Sequence, residues 1–352
     1  MKIGKKFIGL NYPTYFIADV GANHDGNLSR AKKLIRLAKS SGADAVKFQH
    51  FEAKTIVSDY GFKKISQIKS HQSKWKKSVF SVYQSASINK NWTSILKKYC
   101  QKMKIEFMTS PYSMKIVDEI SPFVKAIKIG SGDITWIDII KKISKKKKVG
   151  IIATGASNLQ EVKLAVKEFL RFNKSLVLMQ CNTNYTGDKN NINYVNLNVL
   201  KQYKKIFPKV VLGLSDHTFG HASVLGAVTL GARVIEKHFT DDNKRIGPDH
   251  YFAMNPKTWK TMVEKTRELE LALGDGLKRI EKNELTTVVI QRRGIRASQN
   301  LKKGTRLHEN HLEYLRPCPR NALRPSDKKL ILNKKLKKNI KHHEIISIMD
   351  VK

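Results

Sequence analysis

Eight times before residue 275, a short apolar run rich in β-branched residues is followed by an amphipathic helical pattern. Regular alternation of this kind is the signature of a parallel sheet whose crossovers are helices, and eight units are the number that closes a barrel. The candidate strands are 15–20, 45–49, 105–109, 126–129, 149–153, 176–181, 210–214 and 233–237. Helical periodicity follows at 28–40, 92–103, 113–120, 136–143, 159–171, 195–207, 221–230 and 256–273. The expected fold is therefore an α/β (β/α)8 TIM barrel over 1–275. After Gly274-Asp275-Gly276 the periodicity changes, which predicts a linker over 276–287 and a small compact domain over 288–352. At 352 residues and 41% hydrophobic content, the chain has ample material for both cores.

The formal charge of +38 raises the question of a nucleic-acid partner. Lysine runs such as 145–148 and 334–338 fall at helix ends and turns without interleaved aromatics, which argues for a solvated surface and no specific nucleic acid. Cys100, Cys181 and Cys318 are scattered and odd in number, as suits reduced thiols. No apolar stretch has the length of a membrane span, and residues 1–10 lack a secretory apolar region. The expectation is a cytoplasmic enzyme with no membrane partner.

In a parallel barrel, chemistry sits where the strands end. The strand ends here read Asp19, Asn23-His24, Lys47 with Gln49, Ser110, Lys128 with Ser131 and Asp133, Thr154, Asn184-Tyr185, Ser215-Asp216-His217 and Glu236-Lys237-His238. A lysine inside a strand is costly to bury unless an anion meets it, so Lys47 in AVKFQ and Lys128 in AIKIG point to a phosphate or carboxylate. Gly130-Ser131-Gly132 and Thr154-Gly155 supply amides and hydroxyls of the kind that hold phosphate oxygens. His217 and His238, on adjacent strands and flanked by carboxylates, predict a metal site. Two imidazoles leave several positions open, which suits a divalent ion such as Mn2+ or Mg2+ better than a hydrolytic zinc. Asp19, His24 and Asp25 have capping of nearby turns as an equal reading. The insertion 51–88, with Tyr60, Phe62, His71, Trp75 and Tyr83, has the length and composition of a lid.

The motifs IADVGANH (17–24), AVKFQ (45–49), TSPYS (109–113), KIGSGD (128–133), GLSDHT (213–218) and IEKHFT (235–240) occur together and in this order. In this set the chain resembles the sialic acid synthases and their legionaminate and pseudaminate relatives along essentially its whole length, with a C-terminal part similar to their antifreeze-like domain. The resemblance implies condensation of phosphoenolpyruvate with the open-chain aldehyde of N-acetylmannosamine or a related amino sugar, with water entering and phosphate leaving by C–O cleavage. It implies that Lys47, Ser110, Lys128, Ser131 and Ser215 hold phosphoenolpyruvate, with Thr154 compensating for Ala153, where a hydroxyl residue often stands. It implies that His217 and His238 bind the divalent ion, Mn2+ first with Mg2+ or Co2+ as alternatives. Asp133 matches a carboxylate at the reacting centre. Asp19 and Glu236, grouped with it as catalytic candidates, and Gln49, Asn184, Tyr185 and Asp249 match sugar-site or metal-shell positions. Arg316 matches an arginine that a partner subunit supplies to the sugar's N-acyl group in a domain-swapped homodimer.

Departures from the family pattern include Asp rather than Glu at 19 and 133, Thr186 after Tyr185, and Pro-Cys-Pro after Arg316. Competing readings are a metal-dependent hydrolase or aldolase on the same barrel, a Schiff-base aldolase using Lys128, and a polysaccharide- or ice-binding tail on a basic scaffold.

Overall fold

The computed structural model describes residues 1–65, 72 and 75–352. Among them, eight parallel strands form a closed barrel: β1 (Tyr15–Asp19), β2 (Ala45–His50), β3 (Glu106–Pro111), β4 (Ala126–Ile129), β5 (Val149–Ala153), β6 (Leu176–Cys181), β7 (Val211–Asp216) and β8 (Val234–His238). Closure is made by β8 on β1, in parallel register from Val234 opposite Tyr15 to His238 opposite Asp19. Helices α1 (Leu28–Ser40), α2 (Trp92–Lys102), α3 (Met114–Ile120), α4 (Ile137–Lys145), α5 (Leu159–Leu170), α6 (Val199–Ile206), α7 (Ala222–Thr229) and α8 (Pro256–Leu273) return the chain between strands and after the last.

Local chemistry sets where these helices begin. Asn27 caps α1 by accepting from the Arg30 amide, Asn158 and Glu161 form a reciprocal capping box on α5, and Asn255 with Pro256 opens α8. The helix expected from 195 starts only at Val199. Residues Lys189–Tyr194 form a 3-10 helix and Asn196 adopts a left-handed φ of 49°, which no helix continues through. Strands β3, β7 and β8 end one or two residues later than expected, because backbone pairing runs on through Ser110, Ser215 and Asp216, and up to His238. Polar residues stop an apolar pattern without stopping a ladder whose end is buried.

Side chains alternate across the barrel wall with period two. Phe16, Val46, Phe48, Phe107, Ile127, Ile152, Leu178, Leu214 and Ile235 point outward and pack with Leu34, Ile35, Val166 and Trp259 of the helical layer. Tyr15, Ile17, Ala45, Met108, Ile151, Val177, Met179 and Val234 point inward, joined by Ile3 and Ile8 of the N-terminal segment. The inner core is thus apolar at the start of the strands, and polar inward residues are confined to their ends.

The insertion after β2 is not a plain loop. It contains short helices Ala53–Ile56, Asp59–Lys64 and Val79–Ala86, while His71 lies outside the described residues.

The chain divides into two compact units, Met1–Gly274 and Asp275–Lys352. The second has its own core of Ile295, Leu301, Leu307, Ile331, Leu336, Ile340 and Ile346. Its helix α9 (Leu285–Gln291) takes up the end of the expected linker, and β9 (Gly294–Ala297) pairs antiparallel with β10 (Leu312–Leu315).

Gly213 marks a close backbone approach between β7 and β8. A Cβ there would stand 2.6 Å from the Val234 carbonyl oxygen and 3.0 Å from Met179 Cγ. Backbone cannot yield as a side chain can, so Gly213→Ala is expected to cost about 1–3 kcal/mol by overpacking. A lowered urea midpoint with unchanged slope checks this, and an unchanged midpoint contradicts the close approach.

Candidate active site

The period-two alternation sorts the strand-end residues into two sets. Asp19, Lys47, Gln49, Ser110, Lys128, Ser215, Glu236 and His238 lie on the inward register of their strands, and His217 continues the inward face beyond β7. Asp216 and Lys237 turn outward and pair with each other, with Thr218 and Ser223 completing the bonds of the Asp216 carboxylate. That fully buried pair fastens β7 to β8 and takes no part in the mouth.

Inside the mouth, four buried charges form one connected network. Lys47 Nζ lies 2.7 Å from Asp19 Oδ2 and 3.9 Å from Glu236 Oε1, and Lys128 Nζ donates to the same Glu236 oxygen at 2.6 Å. Lys47 also donates to Ser110 Oγ at 3.5 Å, Ser215 Oγ donates to Glu236 Oε1 at 3.3 Å, and Gln49 Nε2 donates to Asp19 Oδ2 at 3.3 Å. Burial pushes the Asp19 carboxyl up, but Lys47, His238 and Lys128 outweigh it and hold it at about 2. Burial likewise pulls the Lys47 ammonium down, and Asp19 and Glu236 reverse this and carry it above the usual lysine range. Both groups therefore stay charged. Glu236 Oε2, also buried, has no hydrogen-bond partner.

His217 and His238 come together with ring centroids 5.5 Å apart. Nδ1 of His217 lies 2.9 Å from the Asn182 carbonyl and donates to it, and the same side chain is hydrogen-bonded to the buried Cys181 thiol. His238 stands between two carboxylates, with Nε2 3.6 Å from Asp19 Oδ2 and Nδ1 3.8 Å from Asp249 Oδ2. Its buried Nδ1 has no hydrogen-bond partner. Gly21, at φ 49°, permits this approach, since a Cβ there would meet Asp249 Oδ2 at 2.5 Å and His238 at 3.2 Å. Tyr185 and Phe252 wall the two imidazoles edge-on at centroid distances of 4.4 to 6.2 Å. The two carboxylates face opposite nitrogens of His238, so at most one of them can join the imidazoles on a single ion, and the imidazole nitrogens are donors of a kind that a divalent cation takes.

A cavity of about 410 Å3 opens beside them, lined among others by Gln49, Tyr83, Tyr112, Asp133, Tyr185 and Asp249. Trp75, of the insertion, is also in its wall, whereas Tyr60 and Phe62 are not. Burial pushes the Asp133 carboxyl up to about 6. Ser131 Oγ accepts from the Gly155 amide at 3.0 Å.

Residues 34–278 match the NeuB family and residues 292–352 match the SAF domain. The chain belongs to the NeuB family. It is 36% identical over 337 residues to the N,N'-diacetyllegionaminic acid synthase of Campylobacter jejuni, covering 95% of this chain and 98% of that one. It is 34% identical over 333 residues to the pseudaminic acid synthase of the same species, covering 93% of each. A crystal structure of the N-acetylneuraminic acid synthetase of Leptospira borgpetersenii, in complex with citrate, superimposes with a TM-score of 0.71 at 26% identity, covering 82% of this chain and 94% of that one. The fold is thus a TIM barrel with a C-terminal SAF domain, and its relatives are sialic-acid-type synthases.

Two site expectations for this NeuB-family chain need amendment. Asn184 is exposed and uses its Oδ1 to accept from the Thr186 amide and hydroxyl at 3.0 and 2.7 Å, an Asx turn outside the cavity. Thr183 lines the cavity instead, and its buried hydroxyl has no partner. Counting by two from inward Cys181 would have found it. Thr154 is also displaced: its hydroxyl donates to the Met179 carbonyl at 3.0 Å and accepts from Tyr203 at 3.0 Å, one position past inward Ala153. Arg316 is an exposed residue of the second unit. His24 packs on Phe48 and Trp92 and accepts from the Gly26 amide, while Asp25 binds Arg245 and His250, so both serve the loop that follows β1.

Between the ordinary Asp value of 3.8 and about 6, the unfolded Asp133 carboxyl is ionised while the folded one keeps its proton. This site therefore costs stability as pH rises through that window. A carboxyl infrared band titrating near pH 6 is expected in the ligand-free protein and absent from Asp133→Asn. Titration of that band near pH 4 would contradict the desolvated placement.

Proposed function

We propose that this NeuB-family chain condenses phosphoenolpyruvate with the open-chain aldehyde of N-acetylmannosamine or of a related legionaminate or pseudaminate precursor, consuming water and releasing phosphate. The observation that carries the reading is the pair of buried, inward lysines, Lys47 and Lys128, at strand ends whose neighbours Gln49 and Gly130 line the cavity. Asp19 and Glu236 meet the two ammoniums in the free protein, and a donor with a carboxylate and a phosphate offers both of them a further anion. The names of two relatives, an N,N'-diacetyllegionaminic acid synthase and a pseudaminic acid synthase, agree with it.

Lys47, Lys128, Ser110, Ser131 and Ser215 bind the donor's two anionic ends and fix its enol face toward the cavity. Asp19 and Glu236 keep the lysines charged and positioned, and yield contacts to the donor as it enters. Gln49, Thr183, Tyr185 and Asp249 orient the sugar. C3 of the enol then forms a bond to the aldehyde carbon, and the proton held by Asp133 passes to the aldehyde oxygen. Water adds to the cationic C2, returning a proton to Asp133, and the C2–O bond to phosphate breaks as the new C2 hydroxyl becomes the carbonyl and its proton leaves on the phosphate. Orientation of two substrates in one closed mouth lowers the barrier by about 7–11 kcal/mol. His217 and His238, with Asp19 or Asp249 alongside, would hold the divalent ion, Mn2+ first with Mg2+ or Co2+ as alternatives. Such an ion, when bound, supplies polarisation of the aldehyde carbonyl.

In this reading Arg316 reaches the sugar's N-acyl group from a partner subunit in a domain-swapped homodimer, and the enzyme works in the cytoplasm. No helix among the described residues is long and apolar enough to cross a membrane.

Phosphate release assayed with phosphoenolpyruvate and a panel of N-acetylated mannosamine derivatives tests the proposal, and no release with any of them contradicts it. His217→Ala and His238→Ala are each expected to lower metal-dependent release by more than about 100-fold while the fold is retained. Arg316→Glu is expected to raise the acceptor KM and leave the phosphoenolpyruvate KM unchanged. Unchanged acceptor saturation would remove Arg316 from the site.

A further inference from the structure

A further cluster of metal-ligating side chains lies within the SAF unit. Glu313, His342 and His343 each place one ligand atom within 4.8 Å of the others. His343 Nε2 is 3.2 Å from Glu313 Oε2, and the His342 and His343 rings lie with centroids 3.7 Å apart. We propose that Glu313, His342 and His343 form a surface site for a transition-metal dication of the Zn2+ class, independent of the barrel mouth.

The backbone holds these three side chains together in advance. Glu313 sits in β10, where its register partner on β9 is Arg296. The turn carrying the two histidines is fastened to β9 and the residues after it. His343 donates its amide to the Ala297 carbonyl at 2.9 Å, Arg296 Nη1 donates to the His343 carbonyl at 2.7 Å, and His342 donates its amide to Asn300 Oδ1 at 2.9 Å. His343 adopts a left-handed φ of 64°, so two consecutive residues project their rings to one side, which neither a strand nor a helix permits. An ordinary surface ion pair accounts for His343 with Glu313 and leaves His342 against it without a reason. A dication accounts for all three, since two imidazoles and one carboxylate match a three-ligand zinc set with an open fourth position.

The chemistry selects the class of ion. Imidazole nitrogens favour Zn2+, Ni2+ and Cu2+ over Mg2+ and Ca2+. The neighbouring Lys338 already pairs with Asp350 and Glu344, so part of the local positive charge is met within the unit. A bound ion would tie β10 to the 341–344 turn, and thereby the middle of the SAF unit to its C-terminal segment.

The test uses untagged full-length protein stripped with a chelator and titrated with Zn2+ by calorimetry, with Co2+ absorption reporting the ligand field. His217→Ala/His238→Ala serves as the background in which the barrel histidines cannot contribute. That background protein is expected to bind one equivalent. Adding His343→Asn, which tolerates the left-handed backbone but removes the imidazole, is expected to weaken binding by more than about 100-fold, and Glu313→Gln by at least about tenfold. An unchanged melting curve without metal shows that each variant is folded. Absence of an equivalent in the background protein, or its persistence at full affinity in His343→Asn, would overturn the site. Neither outcome depends on what the barrel binds.

Discussion

Two lysines and two carboxylates buried in the barrel mouth are the interaction on which the site depends. Isolated ions of this kind cost several kcal/mol each to remove from water, and only close pairing with further hydrogen bonds offsets that. Here Lys47–Asp19 and Lys128–Glu236 pair at 2.7 and 2.6 Å, and Ser110, Ser215 and Gln49 add donors and acceptors around them. The network sums to zero formal charge, yet one Glu236 oxygen and one His238 nitrogen stay unsatisfied in the interior. A network balanced in charge but short of hydrogen bonds is stable enough to fold and poised to exchange partners with a ligand.

The barrel makes that network possible. Parallel closure of β8 on β1 sets His238 opposite Asp19, and β7 against β8 sets Ser215 opposite Glu236. A one-residue slip of β8 would turn Lys237 into the mouth, leave Asp216 buried without it, and send Glu236 and His238 to the helical layer. The outward pair therefore has its own role: it fixes the register that the inward residues need. Burial raises both carboxyls, but Lys47, His238 and Lys128 hold Asp19 at about 2, whereas burial lifts Asp133 to about 6. One acid is thus a fixed charge and the other is suited to carrying a proton.

Much of this was legible in the sequence because strand ends announce themselves. An apolar run that stops at Ser110, at Ser215 or at Glu236 can only be a strand entering a polar mouth, and strand-borne Lys47 and Lys128 demand anions. What the sequence left obscure lay where the chain leaves the ladders. Past β6 the side-chain alternation continues for one further pair, which puts Thr183 in the cavity, while Asn184 closes a turn that its amide chemistry favours. Past β5 the same parity places Thr154 in the wall. The insertion after β2 carried aromatic residues in a length typical of a lid, and its short helices had no strong period to reveal them. Likewise, Glu313 is separated from His342 and His343 by about 30 residues, and only the antiparallel pairing of the SAF unit brings them together.

In the proposed function the lysine pair receives the anionic donor. Calorimetric titration of phosphoenolpyruvate into the wild-type protein and into Lys128→Met, with no acceptor present, addresses it most directly. Loss of one partner from a buried, hydrogen-bonded charge pair costs about 2–5 kcal/mol, so the dissociation constant is expected to rise by at least about 30-fold in the variant. A folded Lys128→Met protein that binds within about twofold of wild type would contradict the claim.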